Sequence, residues 1–404
     1  NQGIVSSGGG STSVANSEGA TIKNGITIEK AEKVEISNLG NIQAKGDTGD
    51  TEQGITVSAD SVQISNSGNI QGKVESTASK SDVVIINDKG TISGGVSASS
   101  QTGSAIISNL EGGTINEDIV VSKADKVQIS NSGNIQGKVE STASKSDVVI
   151  INDKGTISGG VSASSQTGNA IISNSEGATI KNGITITNAE KVEISNLGNI
   201  QAKEDVGNTE SSNTEQGITV SADSVQISNS GNIQGKVEST SQGDIIISNS
   251  NKGTISGGVS ASSETGSATI TNSEEGMIKN GITIEKAEKV EISNLGTVGK
   301  NSDGNTITNN SNADVAIKEW FVPIDENGNL EKLTVADNGK GNVKVESITI
   351  DQGNLDLEQV GDINNIVSGV KQDNIGNIGT NGSGEISLSY DPISGRVSTD
   401  IRLN

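Results

Sequence analysis

Along most of this chain apolar and polar residues alternate with a period of two, in short runs cut by Asn and Gly. The clearest run is Val62-Gln63-Ile64-Ser65-Asn66-Ser67-Gly68-Asn69-Ile70. A period of two is the signature of a β-strand, whose successive side chains point to opposite faces. Val62, Ile64, Ile70 and Val74 are therefore expected on one face, and Gln63, Ser65, Asn69 and Lys73 on the other. Three strands fit within one run and its continuation: residues 62–65, 69–71 and 73 to about 76. Residues 77–82 read as a polar linker. No segment carries a helical period.

The run returns, edited, thirteen times between residues 13 and 298. The copies align on Asn16, Asn38, Asn66, Asn87, Asn109, Asn131, Asn152, Asn174, Asn196, Asn229, Asn249, Asn272 and Asn294. Spacings are mostly 20 to 23 residues, with 28 and 33 as exceptions. A unit this short cannot stand alone. Its few aliphatics contribute about 1.5–3 kcal/mol each on burial, against roughly 1–2 kcal/mol per residue of backbone ordering. Stacked copies escape this deficit, because each strand pairs with its equivalents above and below. The expected fold is an all-β, right-handed parallel β-helix of about 13 coils with a C-terminal β cap; right-handed crossovers dominate parallel sheets.

At each bend the backbone leaves sheet geometry and its polar groups lose partners. An inward Asn amide can bond that backbone and the Asn of the next coil. All thirteen Asn are accordingly read as a structural ladder. A Gly follows each Asn within a few residues and is expected to supply the positive φ of a tight turn.

Residues 62–103 and 127–168 are identical over 42 positions. Duplicated coils suit a scaffold better than an enzyme, which needs one unique cluster. Two coils carry polar, acidic insertions, at 43–53 and 201–216, which follow corresponding strands and are expected on the same side as solvated loops. Asp47, Asp50 and Glu52 in the first could gather oxygen ligands for calcium. Their spacing fits no EF-hand, the Gly-Gly-x-Gly-x-Asp repeats of calcium-binding solenoids are absent, and no metal site or cofactor is expected.

After Gly299 the pattern changes. Residues 301–312 read as a polar linker, followed by Trp320, Phe321 and Pro323, then strands of different grammar. Residues 386–390 and 397–401 read as a hairpin around Asp391-Pro392-Ile393-Ser394-Gly395. The division expected is a lead-in at 1–12, coils at 13–299 and a cap at 300–404. An open solenoid end invites edge pairing and leaves its core unsealed, so Trp320 and Phe321 are read as the core of that cap.

Composition narrows the chemistry. There is no His and no Cys, which removes imidazole acid–base catalysis, thiolate chemistry and Cys/His metal sites. One Trp, one Phe and one Tyr are the only aromatics, and none lies on a repeat coil. Lys and Arg number 28 against 50 Asp and Glu, so 28 − 50 = −22. That charge gives no electrostatic reason to bind nucleic acid or an anionic membrane. No stretch reaches the roughly 20 apolar residues of a spanning helix. The N-terminus, Asn1-Gln2-Gly3-Ile4, has no signal-peptide profile.

One surface signal remains. The outward position before the second inward residue of the first strand reads Ser13, Glu35, Gln63, Val84, Ile106, Gln128, Val149, Ile171, Glu193, Gln226, Ile246, Thr269 and Glu291. Ile86 and Ile151 are outward in their own coils. Two apolar clusters result, Val84 with Ile86 and Ile106, and Val149 with Ile151 and Ile171; Ile246 stands further along. Exposed apolar patches mark contact surfaces, and these seven residues are the candidate interaction surface. Parallel strands also favour β-branched residues on either face.

Tandem Ile-Ser-Asn-x-Gly-x-Ile coils, scarce aromatics, absent Cys and a Trp-Phe pair near the C-terminal end resemble the passenger domain of a type V autotransporter. The resemblance is one of pattern and covers the whole chain. It implies a bacterial cell-surface protein, secreted and displayed at the outer membrane through a barrel that this chain does not include. It also implies an autochaperone-like role for residues 300–404. The function expected is a non-enzymatic adhesin that meets a host surface protein or glycan, or another copy of itself. The alternatives are a passive display stalk and a polysaccharide-active β-helix enzyme.

Overall fold

A computed structural model describes residues 3–46, 52–204, 215–353 and 355–403. The described chain is a parallel β-solenoid. It packs as two compact units, Asn1–Glu204 with Thr219–Ala222, and Asp205–Ile218 with Asp223–Asn404.

One coil of the first unit shows the plan. Val83–Asn87 forms the first face, two residues, Thr91–Ile92, form a short second face, and Val96–Ser100 forms the third. The next coil repeats them as Ser104–Asn109, Thr114–Ile115 and Ile119–Lys123. Every pairing is parallel, with Val83 on Ala105, Ile85 on Ile107, Asn87 on Asn109, Ile92 on Ile115 and Val96 on Ile119, and the register shifts only on the third face, between Ala98 and Ser99. The residues at these inward positions are fully buried. Ile stacks on Ile and Asn on Asn at most of these positions, with Val over Ala or Ile at the others, and together they fill the interior. In two coils the third face runs straight into the next first face, giving the long strands Ile26–Asn38 and Gln53–Asn66.

The third face is longer than the sequence suggests. It runs through Ala78 in Lys73–Ala78, and Ala78 is fully buried. Residues 77 and 78 thus belong to a strand rather than to a linker. A small residue is needed where the coil narrows before its corner, and a single Ala carries little period-two signal. Ser76, Ser141 and Ser239 occupy the inward row of this face, and their hydroxyls are buried without a partner.

Glycines do two distinct jobs, of which the sequence suggests one. Gly68, just before the short face, does not adopt a positive φ. A Cβ there would lie 2.2 Å from the Gly40 carbonyl oxygen of the coil below, so Gly lets two corners approach. Ala20 and Ala178 take the equivalent position in two longer corners. Positive φ occurs instead at the corner between second and third faces, as at Gly72 (91°) and Gly95 (85°), and within the longer Asn corners, as at Gly112 (83°).

The expected boundary at 299 does not hold. Only the short face stops there, at Thr297–Val298. Ile307–Asn309, inside the supposed linker, pairs in parallel with Ile282, Thr283 and Ile284. Asp314–Val322 pairs in parallel with the strand Lys289–Asn294, Val343–Ile350 with Asp314–Val322, and Ile375–Thr380 with Val343–Ile350. Parallel pairing therefore continues to Thr380 while the recurring Asn-x-Gly corner is lost. Alternating burial persists at Val315, Ile317, Trp320 and Val322, and that alternation is enough for a parallel strand. The antiparallel hairpin Ile386–Asp391 and Arg396–Ile401 follows. Trp320 is buried, at 2% exposure, and sits in the Asn column, in register with Asn294 and Ile348. Phe321 points to the other face and is half-exposed, so it does not share the core position expected for it.

Candidate functional site

The two structural columns of the first face lie back to back. Inward, each Asn is at or near full burial. The Asn66 amide donates to Asn87 Oδ1 at 2.9 Å, to the Gly68 carbonyl at 3.1 Å and to the Thr91 carbonyl of the next coil at 3.3 Å. The same set repeats at Asn131, which donates to Asn152 Oδ1 at 2.9 Å, to Gly133 and to Thr156. In the first unit the chain of amide bonds runs from Asn16 to Asn196; in the second it runs from Asn229 to Asn294. The amides from Asn16 to Asn272 are spent on their neighbours, which makes the column scaffold, and only at its last member, Asn294, is the amide buried without a partner.

The outward column is the remaining surface of that face. Its register is Glu35, Gln63, Val84, Ile106, Gln128, Val149, Ile171, Glu193 from coil to coil. The companion row is Ser65, Ile86, Ser108, Ser130, Ile151, Ser173. Val84 and Ile106 are direct neighbours, with Ile86 one step along the strand from Val84. Val149, Ile171 and Ile151 repeat this arrangement. Ile151 is 37% exposed, and Val84, Ile86, Ile106, Val149 and Ile171 are half-buried by their neighbours in the column. In the second unit Ile246 is 42% exposed between Gln226 and Thr269, so it stands alone as a contact point.

The corner after each Asn adds residues that period-two reasoning passes over, because turn residues do not alternate. Leu39 and Leu197 are each 52% exposed there, with Leu110 and Leu295 in equivalent places. The signal was present as the recurring Asn-Leu pair. Exposed Lys89, Glu111, Lys154 and Glu176 occupy the same corner.

Little else resembles a reaction centre. Among the described residues no three acidic, His or Cys side chains are grouped to hold a metal. Asp47 and Asp50 of the calcium candidate lie outside the described residues, as do most of the second insertion and the middle of the first. The root of the first is described: Ala44 is buried, and the Lys45 N–H donates to the Gln53 carbonyl at 3.3 Å. A groove of ≈ 590 Å³ beside Lys123, Asp125, Thr142 and Lys145 is lined by hydroxyls, amides and a loose 4.0 Å ion pair, and the Ser144 hydroxyl there donates to Asp125 Oδ1 at 3.3 Å. A second, acidic groove holds Asp325, Asp351 and Asp356. Asp325 Oδ1 there accepts the Asn327 and Asn329 N–H groups at 2.9 Å, so it closes its own turn.

No family model, curated protein or solved structure matches this chain. Function must therefore be argued from the surface itself.

Proposed function

We propose that the protein is a non-enzymatic surface adhesin, similar in kind to an autotransporter passenger, which acts through the outward apolar column of its first face. The observation that carries this reading is the pairing of Val84 with Ile106, and of Val149 with Ile171, on the solvent side of adjacent coils. A strand face that needs only solubility would carry Ser, Gln and Glu there, as its other coils do. Burying apolar contacts of this kind is worth roughly 25 cal/mol per Å², and repetition along the solenoid adds small contacts into avidity. The absence of His and Cys and the commitment of the ladder Asn amides, Asn294 excepted, to their neighbours support contact over catalysis. The setting proposed is the bacterial cell surface, with a host protein, a glycan or another copy as partner, and with neither nucleic acid nor cofactor.

The test replaces Ile106 and Ile171 with Lys. Both point outward, so circular dichroism should be unchanged while attachment to host surfaces, or self-association, drops at least tenfold. Unchanged attachment would sink the column as the contact surface. A second reading, a passive stalk, draws on the identical coils at 62–103 and 127–168. It predicts that deleting one duplicate leaves binding intact.

A further inference from the structure

We propose that the groove between the two identical sequence blocks binds an anionic sugar. The sugar hydroxyls meet the groove's amides and hydroxyls, and its acid group meets Lys123. The site lies at the corner from third to first face, apart from the outward apolar column, and goes beyond the contact-surface reading.

The groove exists because one corner is short. Residues 62–103 and 127–168 are identical, and the coil between them is not. In that coil only Ala124 and Asp125 link the third face, which ends at Lys123, to the first face, which starts at Lys126. Residues 101–103 make this link in the coil before, and 144–147 in the coil after. Ala124 is fully buried, so the longer corners stand on either side of a notch of ≈ 590 Å³. That is the size of a small-ligand site. Gln101 and Gln166, one position in two identical blocks, both line it, with Thr142 between. A bulge presents the lysine: Val121 opposes Ala98 but Lys123 opposes Ser99, which makes Ser122 the extra residue.

Two lysines of this coil lack the partners that their counterparts have. The position of Lys123 against Ser99 is held by Asn188 against Ser164 and by Lys286 against Ser262. Asn188 donates to the Ser165 carbonyl at 2.9 Å, and Lys286 pairs with Glu264. Gln101 stands where Glu264 does, so Lys123 has an amide in place of a counter-ion. In Ile28-Glu29-Lys30-Ala31-Glu32-Lys33 the matching Lys30 stands among glutamates. Lys126 repeats the pattern. Its counterparts Lys33, Lys191 and Lys289 pair with Glu35, Glu193 and Glu291 at 3.0, 2.9 and 3.3 Å, and Gln128 takes that place here. Lys123 and Lys126 are both exposed and make no ion pair among the described residues. Around them Asp125 is loosely paired with Lys145, Asp147 accepts the Asn169 N–H at 2.9 Å, and Glu140 lies on the strand below Thr142. Three lysines thus meet three carboxylates at this corner, in a chain of net charge −22. Two Glu-to-Gln differences around one coil keep hydrogen bonding and leave two cations for an outside anion. No aromatic is present on the coil to stack on a sugar ring, so binding is weak.

Ligand-observed NMR titration tests this with a glucuronate-containing disaccharide, its sulfated and neutral counterparts, and inorganic sulfate. Wild type should bind an acidic disaccharide at least tenfold more tightly than the neutral one, and the tighter of the two identifies the acid group. Gln101→Glu installs the carboxylate that pairs with Lys286 in the second unit. It should weaken acidic-sugar binding at least tenfold with circular dichroism unchanged, and Lys123→Gln should do the same. Lys286→Gln should leave binding as it was. Failure of wild type to bind either acidic sugar overturns the proposal, as does neutral sugar bound equally well. Inorganic sulfate bound as tightly as the acidic sugars, or undiminished binding by Gln101→Glu, overturns it too. None of these variants touches Ile106 or Ile171, so an overturned sugar site leaves the apolar column standing as the attachment surface.

Discussion

The laddered coils and the coils after Asn294 solve one structural problem in opposite ways. At Asn131 the bend is tied by an amide that bonds its own turn, the next turn and the next Asn. In the column beyond Asn294 the positions are Trp320, Ile348 and Ile378, and apolar packing replaces the bonds. The ladder needs an identical neighbour on each side, so it propagates only while the sequence repeats. The junction shows the cost of stopping: the Asn294 amide is buried with no partner. An Asn column thus favours growth by duplication, whereas the apolar column carries different residues at each step, from Trp320 to Ile348 and on to Ile378.

The largest break in this contrast should come from Trp320→Ala. Removing a buried indole costs about 3–5 kcal/mol, because little around it can collapse into the space. Chemical denaturation followed by circular dichroism should show a separate early transition from the C-terminal coils, while the laddered coils unfold as before. A single transition at the wild-type midpoint would mean that the apolar column is not what holds those coils.

A smaller effect separates two members of the ladder itself. Asn131→Ala removes three donated bonds and leaves the Gly133 N–H, which Asn131 Oδ1 accepts at 3.2 Å, without its partner. The expected loss is about 3 kcal/mol. Asn294→Ala removes only the bonds its oxygen accepts, from Asn272 at 2.8 Å and Gly296 at 3.1 Å, and sheds an unpaired amide, so about 1 kcal/mol is expected. Denaturation midpoints compare the two. Equal losses would show that the ladder's stability does not depend on completing each amide.

The repeat and its inward–outward alternation were legible because stacking forces the same residue into the same environment coil after coil. Val62, Ile64, Ile70 and Asn66 could be placed on that logic alone. Legibility failed where structure persisted without its markers. Residues 307–380 keep parallel pairing but lose the recurring Asn-x-Gly-x-Ile phrase, so alternation at Val343 and Val345 reads as a new grammar. Gly68 was misread because close approach to a neighbouring coil is a tertiary fact, which a turn rule cannot see. The outward clusters were visible as breaks in a polar column.

The smallest expected effect belongs to the hairpin that follows the apolar coils. The Tyr390 hydroxyl donates to the Gln372 carbonyl at 2.8 Å. Burial raises its pKa above the ordinary phenol value of 10.0, and the nearby carboxylates of Asp373 and Asp391 raise it further. A raised pKa means that the folded state prefers the protonated phenol. Its contribution is complete below the unfolded value and is lost as pH climbs through the folded one. Tyr390 is the only tyrosine, so ultraviolet titration reads this group alone. The native midpoint should lie above 10.0 and return to that value in denaturant, and Tyr390→Phe should remove the alkaline loosening of the hairpin seen by limited proteolysis. A native midpoint at or below the denatured one would place the phenol in water, and the hairpin would then be an appendage rather than a seal on the apolar coils.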